Sequence, residues 1–175
     1  MSSDFVGIHS YQRNDYLDAI EAALKKGMAA KEVVCSITTG FRRIPSIRVA
    51  PGLNPYHATV ADIGYGFDAV QGTIQRIRQG DLIPLEKEML VFELDTLRIS
   101  EKQLSPNFEL AVQGADPSVF YLVEQSRYLN RQIAKMIKRA NKLGQSFLGP
   151  EWEQYARRTR KFKQSLVFRR KVLYA

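Results

Sequence analysis

The sequence predicts a mainly α-helical protein with a small β ribbon or hairpin near residues 33–49; a mixed α+β fold is the alternative. Apolar residues recur at three- and four-residue steps over several long stretches, which is typical of amphipathic helices. β-branched residues cluster within residues 33–49, and Pro and Gly separate the predicted elements. With 175 residues, of which 45% are hydrophobic and 25% charged, the chain fits a single folded domain.

This domain divides into an N-terminal helix and β element (residues 1–52), a helical pair (53–114) and basic C-terminal helices (115–175). In the first part, residues 1–13 form a lead-in without a clear period. A helix is then predicted from an N-cap at Asn14 to a stop at Gly27. Its inner face is marked by Leu17, Ile20 and Leu24.

The β element is predicted as two short strands on either side of a turn at Gly40. The strands contain Val33, Val34, Cys35, Ile37, Thr38 and Thr39, then Ile44, Ile47 and Val49. Polar side chains lie at the entry of this element and on its outer face: Arg42, Arg43, Ser46 and Arg48. A ribbon with these side chains is suited to a DNA major groove. An alternative is a helix-turn-helix with a first helix over residues 29–37, but Pro45 would break its second helix at a cost of about 3 kcal/mol.

After a connector over residues 50–56, the helical pair is predicted at residues 59–79 and 85–100. The first helix has a strict seam of Val60, Ile63, Phe67, Val70, Ile74 and Ile77. Glycines at 64, 66 and 72 favour close helix approach over a phosphate loop, because no strand precedes them and no Lys follows. Pro84 opens the second helix, within which residues 89–94 are either helix or strand, and residues 102–114 are predicted as a loop.

The clearest helix is predicted over residues 116–144, with Asp116 as N-cap, Pro117 in the first turn and Gly144 as the stop. Its buried stripe comprises Val119, Leu122, Ser126, Leu129, Ile133, Met136 and Ala140. Beside that stripe runs a rail of Arg127, Arg131, Lys135, Lys138 and Lys142. A last helix follows Pro150, with inner-face residues Trp152, Tyr155, Phe162 and Leu166 and with basic residues Arg157, Arg158, Arg160, Lys161 and Lys163.

The positive charge of the chain lies in its last quarter. The formal net charge is +8, yet residues 127–175 carry 14 Lys and Arg against 2 acidic residues, whereas the rest carries 12 basic and 16 acidic residues. Such segregation attracts polyanions. Nucleic acid is favoured over a membrane surface, because the basic segment lacks a separate amphipathic anchor with a free apolar face.

Little in the sequence indicates catalysis, so we expect a non-enzyme without metal or cofactor. His9 and His57 lack neighbours at metal-ligand spacing, and no nucleotide-binding or hydrolase motif is present. A metal-dependent nuclease built on Glu86, Glu88, Glu93, Asp95 and Arg98 is the alternative to a solvated helix face. The single cysteine, Cys35, and the lack of a secretory signal or long apolar run indicate a cytoplasmic protein.

The order of strand (residues 44–49), helix (59–79) and helix (85–100) resembles the ribbon-helix-helix family of DNA-binding regulators. The resemblance covers about a third of the chain and rests on element order and the Ile-Arg-Val pattern at residues 47–49. It implies a homodimer whose paired strands enter the major groove, with Ser46 and Arg48 as base readers.

The function expected from these observations is binding of duplex DNA, as a transcriptional regulator or an accessory factor of a mobile element. RNA is the alternative ligand. A further alternative is an assembly protein that docks its basic helices on an acidic partner and forms a homodimer or larger oligomer through the seam of residues 60–77.

Overall fold

The computed structural model describes the backbone of residues 2–174 and the side chains of residues 12–164, and within residues 2–174 it contains no strand. The helices are α1 (Ser2–Thr39), α2 (Pro45–Arg48), α3 (Leu53–Gln79), α4 (Pro84–Val112), α5 (Phe120–Leu148) and α6 (Pro150–Tyr174). Short 3-10 turns at Gly40–Arg43 and Pro117–Val119 precede α2 and α5. Over the described residues, none of the helices is both long enough and apolar enough to cross a membrane.

Four long helices form an up-and-down antiparallel bundle: α1 and α4 each pack against both α3 and α5. Opposite ends of neighbouring helices therefore meet. Arg78, near the end of α3, donates hydrogen bonds to Asp18 and Glu21 in the first half of α1, at 2.6 and 2.8 Å. The last helix, α6, packs mainly on α4 and also on α5.

The seam predicted for α3 is confirmed, because all six of its apolar residues are buried in the core of the bundle. The chain's own helices thus cover this seam, and it is not free to serve as an oligomer interface. Gly66 explains how closely α3 and α4 approach: a Cβ there would lie 2.5 Å from Cδ2 of Leu97. The prediction that the glycines serve close packing is confirmed at this position, whereas Gly72 meets only the end of Arg76, at 3.7 Å.

The predicted β hairpin is wrong, because residues 33–39 continue α1 and Pro45 starts α2. Tertiary packing overrides the β preference of these side chains: Val34 is fully buried against the core. Thr38 is also buried, and its Oγ1 donates a hydrogen bond to the Val34 carbonyl at 2.8 Å, so the buried hydroxyl has a partner within the helix. Pro45 is tolerated because it occupies the first position of α2, where no helical partner for an amide is needed.

The ribbon-helix-helix resemblance and the α+β alternative are wrong for the same reason. With no strand in residues 2–174, two chains have no ribbon to pair, and the homodimer that the resemblance implied loses its basis. The proposed ribbon residues lie on turns and on the one-turn helix α2: Arg42, Arg43, Ser46 and Arg48. The expected transcriptional regulator therefore has no ribbon with which to read bases, and only the predicted basic C-terminal surface is left as a candidate contact with DNA.

Several predicted helix boundaries also differ from the structure. α1 begins at Ser2, so Asn14 is not an N-cap, and α3 begins at Leu53, within the predicted connector. Gly27 does not end α1; a Cβ there would lie 2.9 Å from Cζ of Phe67, so the glycine allows α3 to approach. The predicted loop over residues 102–114 is mostly helix, since α4 continues through Pro106 to Val112. Gly144 lies inside α5, where a Cβ would meet Cδ1 of Leu94 at 2.7 Å, and the helix ends instead before Gly149, which has a φ of 57°.

The predicted start of α5 is confirmed to within one turn, whereas the inner face predicted for α6 is confirmed at Trp152 and only in part at Tyr155. Asp116 accepts a hydrogen bond from the amide of Ser118 at 2.9 Å and caps the 3-10 turn that leads into α5. Trp152 is buried, whereas Phe162 is 55% exposed. Leu166 lies outside the described side chains, as does His9.

Candidate functional site

The exposed face of α5 carries a line of tyrosines and lysines at seven-residue steps. Tyr121, Tyr128, Lys135 and Lys142 are all exposed. Because seven residues complete almost two helical turns, successive members are displaced by only about 20° around the axis. They therefore follow one another along α5 over about 31 Å. We call these four residues the α5 line.

A cationic groove of about 510 Å³ opens beside the lysine half of this line, on the side of α4. α5 packs antiparallel to α4, and this places Arg98 of α4 opposite the last turns of α5. The groove is lined by Arg98, Lys135, Lys138, Arg139, Asn141, Lys142 and Gln145. Three predicted members of the rail, Lys135, Lys138 and Lys142, are thus brought together.

Two carboxylates compensate part of the charge along the groove. Glu101 lies 3.5 Å from the Lys138 amine. Asp95 is only 4% exposed, and its two oxygens bind Arg98 at 2.8 Å and Lys163 of α6 at 3.2 Å. Burial disfavours the Asp95 carboxylate, but the hydrogen bonds from Arg98 and Lys163 outweigh burial and lower its pKa. Asp95 therefore stays ionised and holds two cations at the edge of the groove.

Four cations of α5 form no ion pair with any carboxylate among the described side chains: Arg131, Lys135, Arg139 and Lys142. All four are exposed. Several of them are three or four residues apart, and like charges at these steps repel each other by about 0.2–0.5 kcal/mol per pair. This part of α5 therefore has excess positive charge that the described part of the protein does not neutralise.

The N-terminal end of the predicted rail is neutralised. The Arg127 guanidinium binds Glu109 of α4 at 2.7 and 3.0 Å and also pairs with Glu124. These bonds raise the pKa of Arg127. Arg127 is therefore a structural link between α4 and α5, and the free positive charge begins one turn later at Arg131.

The predicted cations of α6 do not line the groove. Arg157 and Arg160 both approach Glu153, at 3.6 and 3.5 Å. Arg158 lies over the ring of Tyr155, with 5.9 Å between the guanidinium carbon and the ring centroid. Lys161 is exposed outside the groove, and only Lys163 reaches its edge, through Asp95.

Asn141 forms part of the groove lining and is buried. Its amide nitrogen donates to the carbonyls of Leu94 and Ile137 at 3.0 and 3.1 Å. Its Oδ1 has no hydrogen-bond partner among the described groups. This oxygen is itself buried, so it is not offered to a ligand, and the hydrogen bond from the amide nitrogen to Leu94 instead links α5 to α4 behind the cationic walls.

Four residues that line the groove were not predicted to bind nucleic acid: Arg98, Arg139, Asn141 and Gln145. Arg139 has the same three- and four-residue spacing to Lys135 and Lys142 as the predicted rail, so this signal was present. Arg98 comes from another helix, and only the packing of α4 against α5 brings it to the groove.

The acidic residues of α4 form neither of the two predicted arrangements. They are not a fully solvated helix face, and their carboxylates do not converge on one nuclease centre. Glu93 is buried and accepts a hydrogen bond from Thr73 Oγ1 at 2.7 Å, toward α3, whereas Asp95 faces α6. Burial raises the pKa of Glu93 more than the Thr73 hydrogen bond and the Arg76 charge lower it. Among the described residues, no group of three or more His, Cys, Asp or Glu side chains is arranged to hold a metal ion.

Fold and surface together define the class of protein as an all-α up-and-down bundle with a sixth helix on α4 and a cationic groove along α5. Family models, curated proteins and solved structures were compared with this chain, and none of them matches it.

Proposed function

We propose that this chain binds nucleic acid through the sugar–phosphate backbone, without catalysis, using the cationic groove and the neighbouring Arg131. Duplex DNA is the ligand predicted from the sequence, and RNA is the alternative. The single observation that carries the proposal is the group of four α5 cations that lack a carboxylate partner among the described side chains. The single cysteine fits the reducing cytoplasm in which we expect the protein to act.

A polyanion suits this surface for an electrostatic reason. Like charges placed three and four residues apart destabilise the free helix. Phosphates bound along α5 would turn this repulsion into attraction and release counterions from the nucleic acid. Contacts of this kind fix the position of the ligand but do not read its sequence. The proposal is therefore binding without sequence preference.

The salt dependence of binding tests the proposal. If each of the four unpaired cations neutralises one phosphate, log K falls with a slope of about −3.6 against log salt. Affinity for duplex DNA should then drop about 150-fold between 50 and 200 mM salt, measured by fluorescence anisotropy. In the Lys135→Ala/Lys142→Ala variant two contacts are lost, and the drop should be only about 12-fold.

The matched control removes the same charge elsewhere. Arg43→Ala/Arg48→Ala takes two exposed cations from the connection between α1 and α3, and it should leave the salt slope of the native chain unchanged. A slope that falls equally in both double variants would show that net charge, and not the groove, controls binding. Binding that needs an acidic protein and is absent with every nucleic acid would instead favour an assembly role.

A further inference from the structure

The tyrosine half of the α5 line borders a second groove of about 460 Å³, between α5 and α1. Its walls are mostly apolar or aromatic and include Val33 and Ile37 of α1 and Tyr121, Tyr128 and Leu129 of α5. Tyr121 is 73% exposed and Tyr128 is 56% exposed. Two large aromatic rings are thus exposed to solvent and do not contribute to the core. Clustered exposed apolar side chains of this kind mark interaction sites.

The aromatic groove and the cationic groove flank opposite edges of the same helix face. The first opens toward α1 at the N-terminal half of α5, and the second opens toward α4 at the C-terminal half. The α5 line runs along the crest and passes from Tyr121 and Tyr128 to Lys135 and Lys142. A chain-like ligand that follows this crest meets aromatic rings first and cations afterwards.

The carboxylate at the aromatic groove is ion-paired. Glu124 is part of the lining, but its carboxylate pairs with Arg127. The Tyr121 hydroxyl accepts a hydrogen bond from Gln125 at 2.9 Å, which helps to fix the ring on the helix surface. Because Glu109 and Glu124 share the single guanidinium of Arg127, the aromatic half carries no excess positive charge, and binding there would depend on stacking against an oriented ring.

We propose that the ligand of this face is a single-stranded nucleic acid, whose bases stack on Tyr121 and Tyr128 while its phosphates follow the cationic groove. This rests on the proposed function and specifies its ligand. In a duplex the base faces are covered by neighbouring bases, so exposed tyrosines gain little from it. Proteins that bind single strands combine a cationic path with aromatic platforms, and each stacked base contributes about 1–3 kcal/mol.

The test compares the binding of an oligothymidylate of about 16 nucleotides with the binding of a duplex of the same length. This length is near the upper end of the site sizes common among single-strand binders. The single strand should bind more tightly. Tyr121→Ala and Tyr128→Ala should each weaken its binding about 5- to 150-fold and leave duplex binding nearly unchanged. Tyr128→Phe should bind like the native chain, since stacking needs the ring and not the hydroxyl.

Tyr65→Ala is the matched control, because Tyr65 is 74% exposed on α3, a helix that packs on α1 and α4. It should change neither affinity. Heparin, a polyanion without bases, serves as competitor. If the α5 tyrosine variants lose heparin binding as strongly as oligothymidylate binding, the rings support the surface structurally and the stacking inference is overturned.

The remaining outcomes separate this inference from the proposed function. If duplex and single strand bind equally and the tyrosine variants match the native chain, the single-strand inference fails while nucleic-acid binding stands. If neither oligonucleotide binds at 50 mM salt, the proposed function fails, and the inference fails with it. Tyrosine-dependent binding to anionic lipid vesicles, with no preference for oligothymidylate over heparin, would assign this face to a membrane surface.

Discussion

Replacing Gly52 with alanine tests the tightest approach of a described glycine to the backbone of another helix. Gly52 is buried at the start of α3, and a Cβ there would lie 2.5 Å from the amide nitrogen of Ala111 and 2.6 Å from the carbonyl oxygen of Asn107. Carbon contacts are optimal near 3.5–4.0 Å, so the backbone of α4 would have to move by about 1 Å. A backbone cannot rotate away as a side chain can.

We therefore expect Gly52→Ala to lower the free energy of unfolding by about 3 kcal/mol, the upper end of the usual cost of overpacking. For a chain of this size the melting temperature should fall by about 6–12 °C, measured by circular dichroism with a urea titration at 25 °C. Gly66→Ala should cost less, because its Cβ would meet the movable side chain of Leu97.

Gly40→Ala is the control for this series, since nothing lies within 4 Å of a Cβ at that position. It should be neutral or stabilise the fold by about 0.4–1 kcal/mol through the lower entropy of the unfolded chain. If Gly52→Ala melts within about 1 °C of the native chain, or if Gly40→Ala is equally damaging, the packing described between α3 and α4 is wrong.

Two further predictions concern buried polar groups. The folded-state pKa of Glu93 is raised by burial, so the folded chain holds this proton more tightly than the unfolded chain does. The free energy of unfolding should therefore fall as pH rises from the unfolded-state pKa to the folded-state pKa. Glu93→Gln should remove this fall, measured by urea titrations at several pH values. A pH profile that is the same in the variant and the native chain would contradict the assignment. Tyr56 donates a hydrogen bond to Asn130 Oδ1 at 2.8 Å, between α3 and α5. Tyr56→Phe leaves this buried oxygen without a donor and should cost about 1–3 kcal/mol. Adding Asn130→Leu should recover part of the loss in a double-mutant cycle, and purely additive effects would disprove the coupling.

Local pattern was a good guide where a helix has one buried stripe. The seam of α3 could be read from spacing alone, because every third or fourth apolar side chain reaches the same core. The cationic half of α5 was predictable for the same reason. Arg139 also fits this pattern, because it lies four residues after Lys135 and three residues before Lys142.

Pattern failed where a distant contact outweighs local preference. Residues 33–39 favour a strand by composition, but burial of Val34 against the core keeps them helical. Pro106 suggested a loop, yet α4 continues because Leu104 and Phe108 are buried on either side of it. Neither contact can be inferred from neighbouring residues in the chain.

The sequence by itself determined the helical periods of α3 and α5, the Pro150 start of α6 and the segregation of positive charge, because all of these depend on residue spacing within one segment. Only the tertiary structure decided which cations remain free. Arg127 is neutralised by Glu109 of another helix, whereas Arg98 joins Lys135 and Lys142 across the contact of α4 with α5. Ion pairing and groove formation depend on distances between helices, which the spacing within any single helix does not specify.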